Sequence, residues 1–142
     1  MSHLIEAFLD IETTGLSPSD CEITVVGIHL CNGDEAKCVQ LVGSGQQFDL
    51  PFIHRRVGIN LAEIFPHHDL MYDCWRNNLY GGFKAVERQL GIARALTEVN
   101  GYQAVLLWWR YVESFDLDAL NALLAYNKED VVNLRILKER LL

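Results

Sequence analysis

The sequence has no long hydrophobic run, no CxxC cysteine pair and no excess of basic residues. No apolar stretch approaches the roughly 20 residues that cross a bilayer, and the acidic Glu6 in the first apolar stretch argues against a signal peptide. The four cysteines form no zinc pattern with the histidines, so we expect free, mostly buried thiols. These absences predict a cytoplasmic protein in a reducing compartment, with no membrane partner.

The most informative feature is a pair of acids, Asp10 and Glu12, at the end of an apolar run that begins at Leu4. The run is short and Gly15 follows it, which predicts a buried strand. Alternate residues of a strand point to one face, so the two carboxylates are predicted to lie side by side. Because like charges repel unless a cation lies between them, a divalent metal is the simplest partner. The alternative is a solvated strand end with no ligand.

Two later segments carry further acids that could complete such a site. Asp49 lies in the sequence FDLPF, and Tyr126 and Asp130 lie in YNKED. With the first pair, in DIETTG, these motifs resemble the DEDD-type 3′–5′ exonucleases of the ribonuclease H-like fold, and most of all the YprB-type ribonuclease H-like domain. Ala125 stands where the other DEDD subgroup has a histidine, so the resemblance implies the tyrosine subgroup. It extends over nearly the whole chain.

The resemblance implies an α/β fold of one domain, residues 1–142. The expected sheet is ribonuclease H-like and mixed, with an antiparallel meander followed by parallel strands, and helices flank it. The implied activity is hydrolysis of phosphodiester bonds in single-stranded DNA or RNA from the 3′ end. The sequence leaves DNA and RNA undistinguished, because nothing in it marks a contact to a 2′-hydroxyl.

The same resemblance implies roles for five side chains around two Mg²⁺ or Mn²⁺ ions. Asp10 would bridge the ions, and Glu12 and Asp130 would hold the ion that binds the attacking water. Asp49 would act mainly on the second ion. Tyr126 would orient the water, because a phenol with an ordinary pKa of about 10 is a poor base at neutral pH.

The net charge of −7 argues at first against nucleic acid, since phosphate backbones favour basic surfaces. Bound divalent ions would offset four of the acids, however, and local basic clusters remain. The candidate substrate-binding residues are Thr13, Arg55, Lys84 and Arg88, with His54 and Arg56 beside Arg55. The alternative for each basic residue is an ordinary solvated position and, for Arg88, an ion pair within its helix.

Hydrophobic periodicity predicts the remaining elements. Strands are expected at Leu4–Asp10, Glu22–Leu30, Lys37–Val42 and His67–Tyr72. Helices are expected at Phe48–Val57, Gly82–Leu90, Gly101–Tyr111 and from Asp116 or Asp118 to about Leu141. A turn at Asn32-Gly33-Asp34 joins the second and third strands, which predicts the meander. Tyr126 and Asp130, four residues apart on the last helix, are expected to share one face.

A second group of possible metal ligands is formed by His67, His68 and Asp69. Short motifs of this kind need a confirming context. We therefore favour a structural role, in which Asp69 accepts hydrogen bonds from nearby backbone near a strand end.

The segment before Asp49 departs from the family pattern. The resemblance implies a helix and a fourth strand between Asp10 and Asp49, but only residues 11–48 are available. One helix, and at most one strand with it, is therefore expected to be missing, and Gly43-Ser44-Gly45 resembles a flexible connector. This shortening places the activity in doubt.

A shortened sheet would leave an apolar face or edge uncovered, which predicts self-association as a homodimer. The expected surface lies on Cys38–Val42 and the outer face of Glu22–Leu30. In the alternative, other apolar residues cover the gap within one chain: Phe52, Ile53, Phe65 or the helix of Trp108 and Trp109.

Two rival functions follow from the same observations. One is a catalytically impaired ribonuclease H-like domain that binds nucleic acid or a protein, although such a domain has no physical need for clustered carboxylates. The other is an endonuclease on hybrids, which needs a basic duplex-binding surface that this chain scarcely offers.

Overall fold

The computed structural model describes residues 5–15, 21–43, 68–95 and 99–141. Three strands and four helices follow one another: β1 (Ile5–Thr13), β2 (Ile23–Asn32), β3 (Glu35–Val42), α1 (Leu70–Arg76), α2 (Phe83–Leu90), α3 (Gly101–Ser114) and α4 (Leu117–Leu141). The described part therefore has the predicted mixed α/β class. None of its helices is long and apolar enough to span a membrane.

The three strands form the predicted antiparallel meander, with β2 between β1 and β3. Asn32 pairs with Glu35 across a two-residue turn. Gly33 lies in this turn with a φ of 62°, a left-handed conformation that glycine adopts without steric cost. The parallel strands expected after the meander are not found among the described residues.

The helix predictions for α2, α3 and α4 are confirmed to within a few residues. The strand predicted at His67–Tyr72 is wrong, because α1 begins at Leu70. Asp69 is its N-cap and its side chain accepts a hydrogen bond from Met71 N at 2.9 Å, so the structural role expected of Asp69 is confirmed at a helix start. A short apolar run cannot be assigned to strand or helix by periodicity alone. The helix predicted at Phe48–Val57 lies outside the described residues.

Helix α4 is the central support of the fold. Its first half packs with α3 against the sheet, in a cluster of Val25, Ala104, Trp108, Leu123 and Tyr126. Its second half packs against α1 and α2, in a cluster of Cys74, Val86, Ile92 and Leu137. The helix thereby connects the sheet to the α1–α2 pair.

Trp108 and its neighbour Trp109 lie in different environments, since Trp108 is buried and Trp109 is 41% exposed. Trp108 packs against Val25 and Tyr126. Helix α3 therefore covers the sheet face that α4 also covers. The alternative in which this helix covers the gap within one chain stays a prediction, and Phe52, Ile53 and Phe65 lie outside the described residues.

The cysteines are free, as predicted. Cys31 and Cys74 are buried, and Cys21 and Cys38 are half-buried.

Candidate metal centre

Three carboxylates from opposite ends of the chain meet between the sheet and α4. Asp10 and Glu12 project from the same face of β1, and Asp130 projects from α4. One ligand oxygen of each lies within 4.8 Å of the others. Glu12 and Asp130 are buried and Asp10 is half-buried. Within the described ranges, this is the one group of three or more acids, histidines or cysteines that could hold a metal ion.

Asn127 fixes the distance between α4 and the strands. Its side-chain amide donates to the Asp10 carbonyl at 3.3 Å and to Glu12 Oε1 at 3.5 Å. Its own Oδ1 accepts from Gln40 Nε2 at 3.0 Å. Gly27, the β2 partner of Asp10, leaves the space for this amide, because a Cβ there would lie 2.0 Å from Asn127 Oδ1. The close approach brings Asp130 to the two β1 acids.

Sequence reasoning missed Asn127, although a signal for it exists. Asn127 precedes Asp130 by three residues, so the two share a helix face, and that face is otherwise apolar. A polar side chain on such a face must find a buried partner.

Burial and neighbouring negative charge both raise the pKa values of Asp10 and Glu12. Burial, the largest cause, and the neighbouring Asp130 and Glu12 raise the pKa of Asp10 to about 9. Burial and Asp130 raise the pKa of Glu12 to about 8, although the Asn127 hydrogen bond and the Lys84 charge act in the opposite direction. At neutral pH without a cation, the cluster therefore retains protons. A divalent ion would displace these protons and relieve the repulsion.

Tyr126 lies beside the carboxylates on α4 and is buried. Lys84 from α2 donates a hydrogen bond to its hydroxyl, with Nζ 4.4 Å from the centre of the ring. Burial first, and then the charges of Asp130 and Glu12, raise the pKa of Tyr126 above its ordinary value. The hydroxyl consequently stays protonated at neutral pH and can orient a neighbour without ionising.

A second set of residues surrounds Asp130 on the side of α2. Arg94 Nη2 lies 2.5 Å from Asp130 Oδ1 and 2.9 Å from Glu87 Oε1. Asn133 Nδ2 donates to Glu87 Oε2 at 2.6 Å. Sequence reasoning missed these three partners, since neither Glu87 in a predicted helix nor Arg94 after it stands out from ordinary surface charges.

Of the other predicted site residues, some lie outside the described residues and some make contacts away from the three carboxylates. Asp49 and Arg55 lie outside the described residues, as do His54, Arg56 and His67. Thr13 Oγ1 donates to the Gly15 carbonyl at 2.6 Å. Arg88 is exposed, and no ion pair joins it to another described residue, so the intrahelical pair is not observed. His68 pairs with Asp73. No metal-binding group includes His68 or Asp69 within the described ranges.

A family model described as the RNase_H superfamily matches the chain over residues 7–44 and 43–142. The two matched segments together cover more than half of the chain. They meet at residues 43–44, where the sequence predicts that a helix of the family is missing, and this is consistent with a shortened fold of that superfamily. Searches of curated proteins and of solved structures gave no significant match.

Proposed function

Because the chain belongs to the ribonuclease H superfamily, we propose that it is a metal-dependent 3′–5′ exonuclease acting on single-stranded DNA or RNA. The observation that carries the proposal is the convergence of Asp10, Glu12 and Asp130 within 4.8 Å. The proposal places the chain in the tyrosine subgroup of the DEDD exonucleases, through Tyr126, with residues 1–142 as one catalytic domain in the cytoplasm.

The donor set fits a hard divalent cation. Carboxylate oxygens are the ligands that Mg²⁺ and Mn²⁺ prefer, and a cation would relieve the repulsion that raises the pKa values of Asp10 and Glu12. Under the proposal, Asp10, Glu12 and Asp130 hold two ions together with Asp49. Such ions, when bound, supply an activated water and stabilise negative charge on the leaving oxygen.

The surrounding side chains would position the substrate and the water. The protonated hydroxyl of Tyr126 can hydrogen-bond the attacking water, and Lys84 supports that hydroxyl. The Lys84 charge also acts on Glu12, so its ammonium group can stabilise a phosphate that reaches the cluster. Thr13, Arg55 and Arg88 are further proposed contacts to the nucleic-acid strand.

The test is an assay with single-stranded DNA and RNA oligonucleotides labelled at the 5′ end, in Mn²⁺ or Mg²⁺. A 3′–5′ exonuclease shortens the labelled strand step by step, and a 3′-labelled strand releases its label at once. Asp130→Asn should abolish this activity. Asp118→Asn is the matched control, because Asp118 lies exposed in the first turn of the same helix, and it should retain activity.

Internal cleavage of the strand would contradict the exonuclease assignment. Binding of the oligonucleotide without hydrolysis, in the presence of Mn²⁺, would favour the rival function of a catalytically impaired binding module.

A further inference from the structure

We propose that Arg94 is a positioning residue of the metal centre, which holds Asp130 in the orientation that a divalent cation requires. The inference rests on the proposed function, because it assigns a role relative to that cation. Arg94 Nη2 lies 2.5 Å from Asp130 Oδ1, and both side chains are at least nine-tenths buried. With Oδ1 engaged by the guanidinium, Oδ2 is the oxygen that can bind a cation without breaking the ion pair.

Arg94 is itself held by Glu87, which contacts the same Nη2 atom as Asp130. Glu87 Oε1 lies 2.9 Å from Nη2 and accepts from Nε at 3.2 Å. Asn133 Nδ2 holds the other Glu87 oxygen at 2.6 Å. The contacts therefore run from Asn133 on α4 to Glu87 on α2, then to Arg94, and back to Asp130, which lies about one turn before Asn133 on α4. This arrangement fixes the guanidinium, and through it the carboxylate.

The positive charge of Arg94 is balanced within this network, beside a site that is proposed to bind a cation. A guanidinium beside a metal ligand would repel the incoming ion if its charge were not compensated. Glu87 is buried, with 2% of its surface exposed, and supplies that compensation. Glu129 Oε1 lies farther away, 3.8 Å from Arg94 Nε. Arg94 can thus orient Asp130 while the Arg94–Glu87 pair stays close to neutral.

The remaining N–H donor group of Arg94, Nη1, takes no part in the contacts with Glu87 and Asp130. Nη1 is buried and has no hydrogen-bond partner among the described residues. The guanidinium carbon lies 5.6 Å from the centre of the Tyr126 ring, next to the carboxylates. A buried donor without a partner is costly, so a bound water would be a suitable acceptor for Nη1.

A purely structural alternative is that Arg94 only connects α2 to α4. The two roles differ in one measurable quantity, the affinity of the folded protein for a metal ion. Groups that orient metal-ligating carboxylates typically contribute about 10–100-fold to that affinity. A cross-link alone would contribute to stability and leave the affinity of the folded protein unchanged.

The experiment compares Mn²⁺ binding by calorimetry, without nucleic acid, in wild type and in the double variant Arg94→Gln/Glu87→Gln. Changing Glu87 together with Arg94 keeps the net charge of the network unchanged and avoids leaving Glu87 buried without its partner, which favours folding. We expect the Kd for Mn²⁺ to rise about 10–100-fold. Arg135→Gln/Glu139→Gln removes a comparable ion pair at the surface of α4, 3.3 Å between Arg135 Nε and Glu139 Oε1, and should leave the Kd unchanged.

If the double variant does not fold, Arg94→Lys provides the test, because lysine keeps the charge but cannot bond two carboxylates as a fork. A folded variant of either kind with the wild-type Kd would overturn the role of Arg94 and leave the proposed function intact. Absence of Mn²⁺ binding by wild type would overturn both. Mn²⁺ binding that depends on Arg94, without any nuclease activity, would overturn the exonuclease proposal alone.

Discussion

Asp10 and Glu12 link the stability of the protein to pH. Their pKa values are about 9 and about 8 in the folded protein, against about 4 in an unfolded chain. As pH rises above 4, the unfolded state loses protons that the folded state keeps, so folding becomes less favourable. This contribution is fully present below pH 4 and is lost as pH rises through 8 to 9.

We therefore predict that, with EDTA present, the free energy of unfolding falls as pH rises from 5 to 9. Each retained proton contributes a slope of about 1.4 kcal/mol per pH unit. Urea titrations at a series of pH values measure it. Asp10→Asn should reduce this slope by about 1.4 kcal/mol per pH unit, the contribution of one proton, because asparagine cannot titrate. A wild-type slope in this variant would contradict the assignment.

Tyr126 is expected to act by orientation and not by proton transfer. Its raised pKa keeps the hydroxyl protonated over the working pH range. Tyr126→Phe removes the proposed hydrogen bond to the attacking water and should therefore lower kcat roughly tenfold. The pH dependence of the rate should stay unchanged. Rate measurements from pH 6 to 9 test this, and a shifted profile would show that Tyr126 titrates during turnover.

At the scale of single residues, sequence reasoning found the carboxylates and missed their partners. Asp10 and Glu12 are recognisable because two acids at a strand end need an explanation, whereas Asp130 is recognisable through the YNKED motif and the family resemblance. Arg94 and Glu87 look like ordinary charges in the sequence. Their role depends on the packing of α2 against α4, which local patterns do not determine.

At the scale of elements, the spacing between α4 and β2 is set by Gly27. We predict that Gly27→Ala destabilises the protein by about 1–3 kcal/mol, because the new methyl group would overlap the Asn127 amide. It should also weaken Mn²⁺ binding, since Asn127 positions α4 against β1. Chemical denaturation and calorimetry measure the two effects.

Gly101→Ala is the matched control for this prediction. A Cβ at Gly101 meets no atom within 4 Å, so the change should alter the free energy of unfolding by no more than about 0.5 kcal/mol. Equal effects of the two substitutions would contradict a specific contact at Gly27.

Long periodic elements were predictable, and short ones were less so. The 25 residues of α4 and the hairpin of β2 and β3 are long enough to be recognised from the sequence, and both predictions are confirmed. Helix α1 has seven residues. Its apolar start fits a strand equally well, and the Asp69 cap decided the outcome.

At the scale of the whole molecule, the sheet face away from α4 carries exposed apolar side chains. Leu9, Ile11 and Leu41 are each more than 40% exposed, and strand register places them on the face opposite Asp10. We propose that a second copy of the chain covers this face in a homodimer. Sedimentation at micromolar concentration should show dimers, and Leu41→Lys should shift them to monomers, because a buried charge is costly. A monomer at every concentration would contradict the proposal.

The Asn127–Glu12 hydrogen bond joins residues 115 positions apart, and the carboxylate cluster spans nearly the same interval. Any ion held there would clamp the first strand to the last helix. In a pulling experiment on the two chain ends, the force would act directly on the coordination bonds, before most of the intervening chain carried tension. Metal occupancy would then set the mechanical strength of the protein, and an unloaded molecule would extend at lower force than a loaded one.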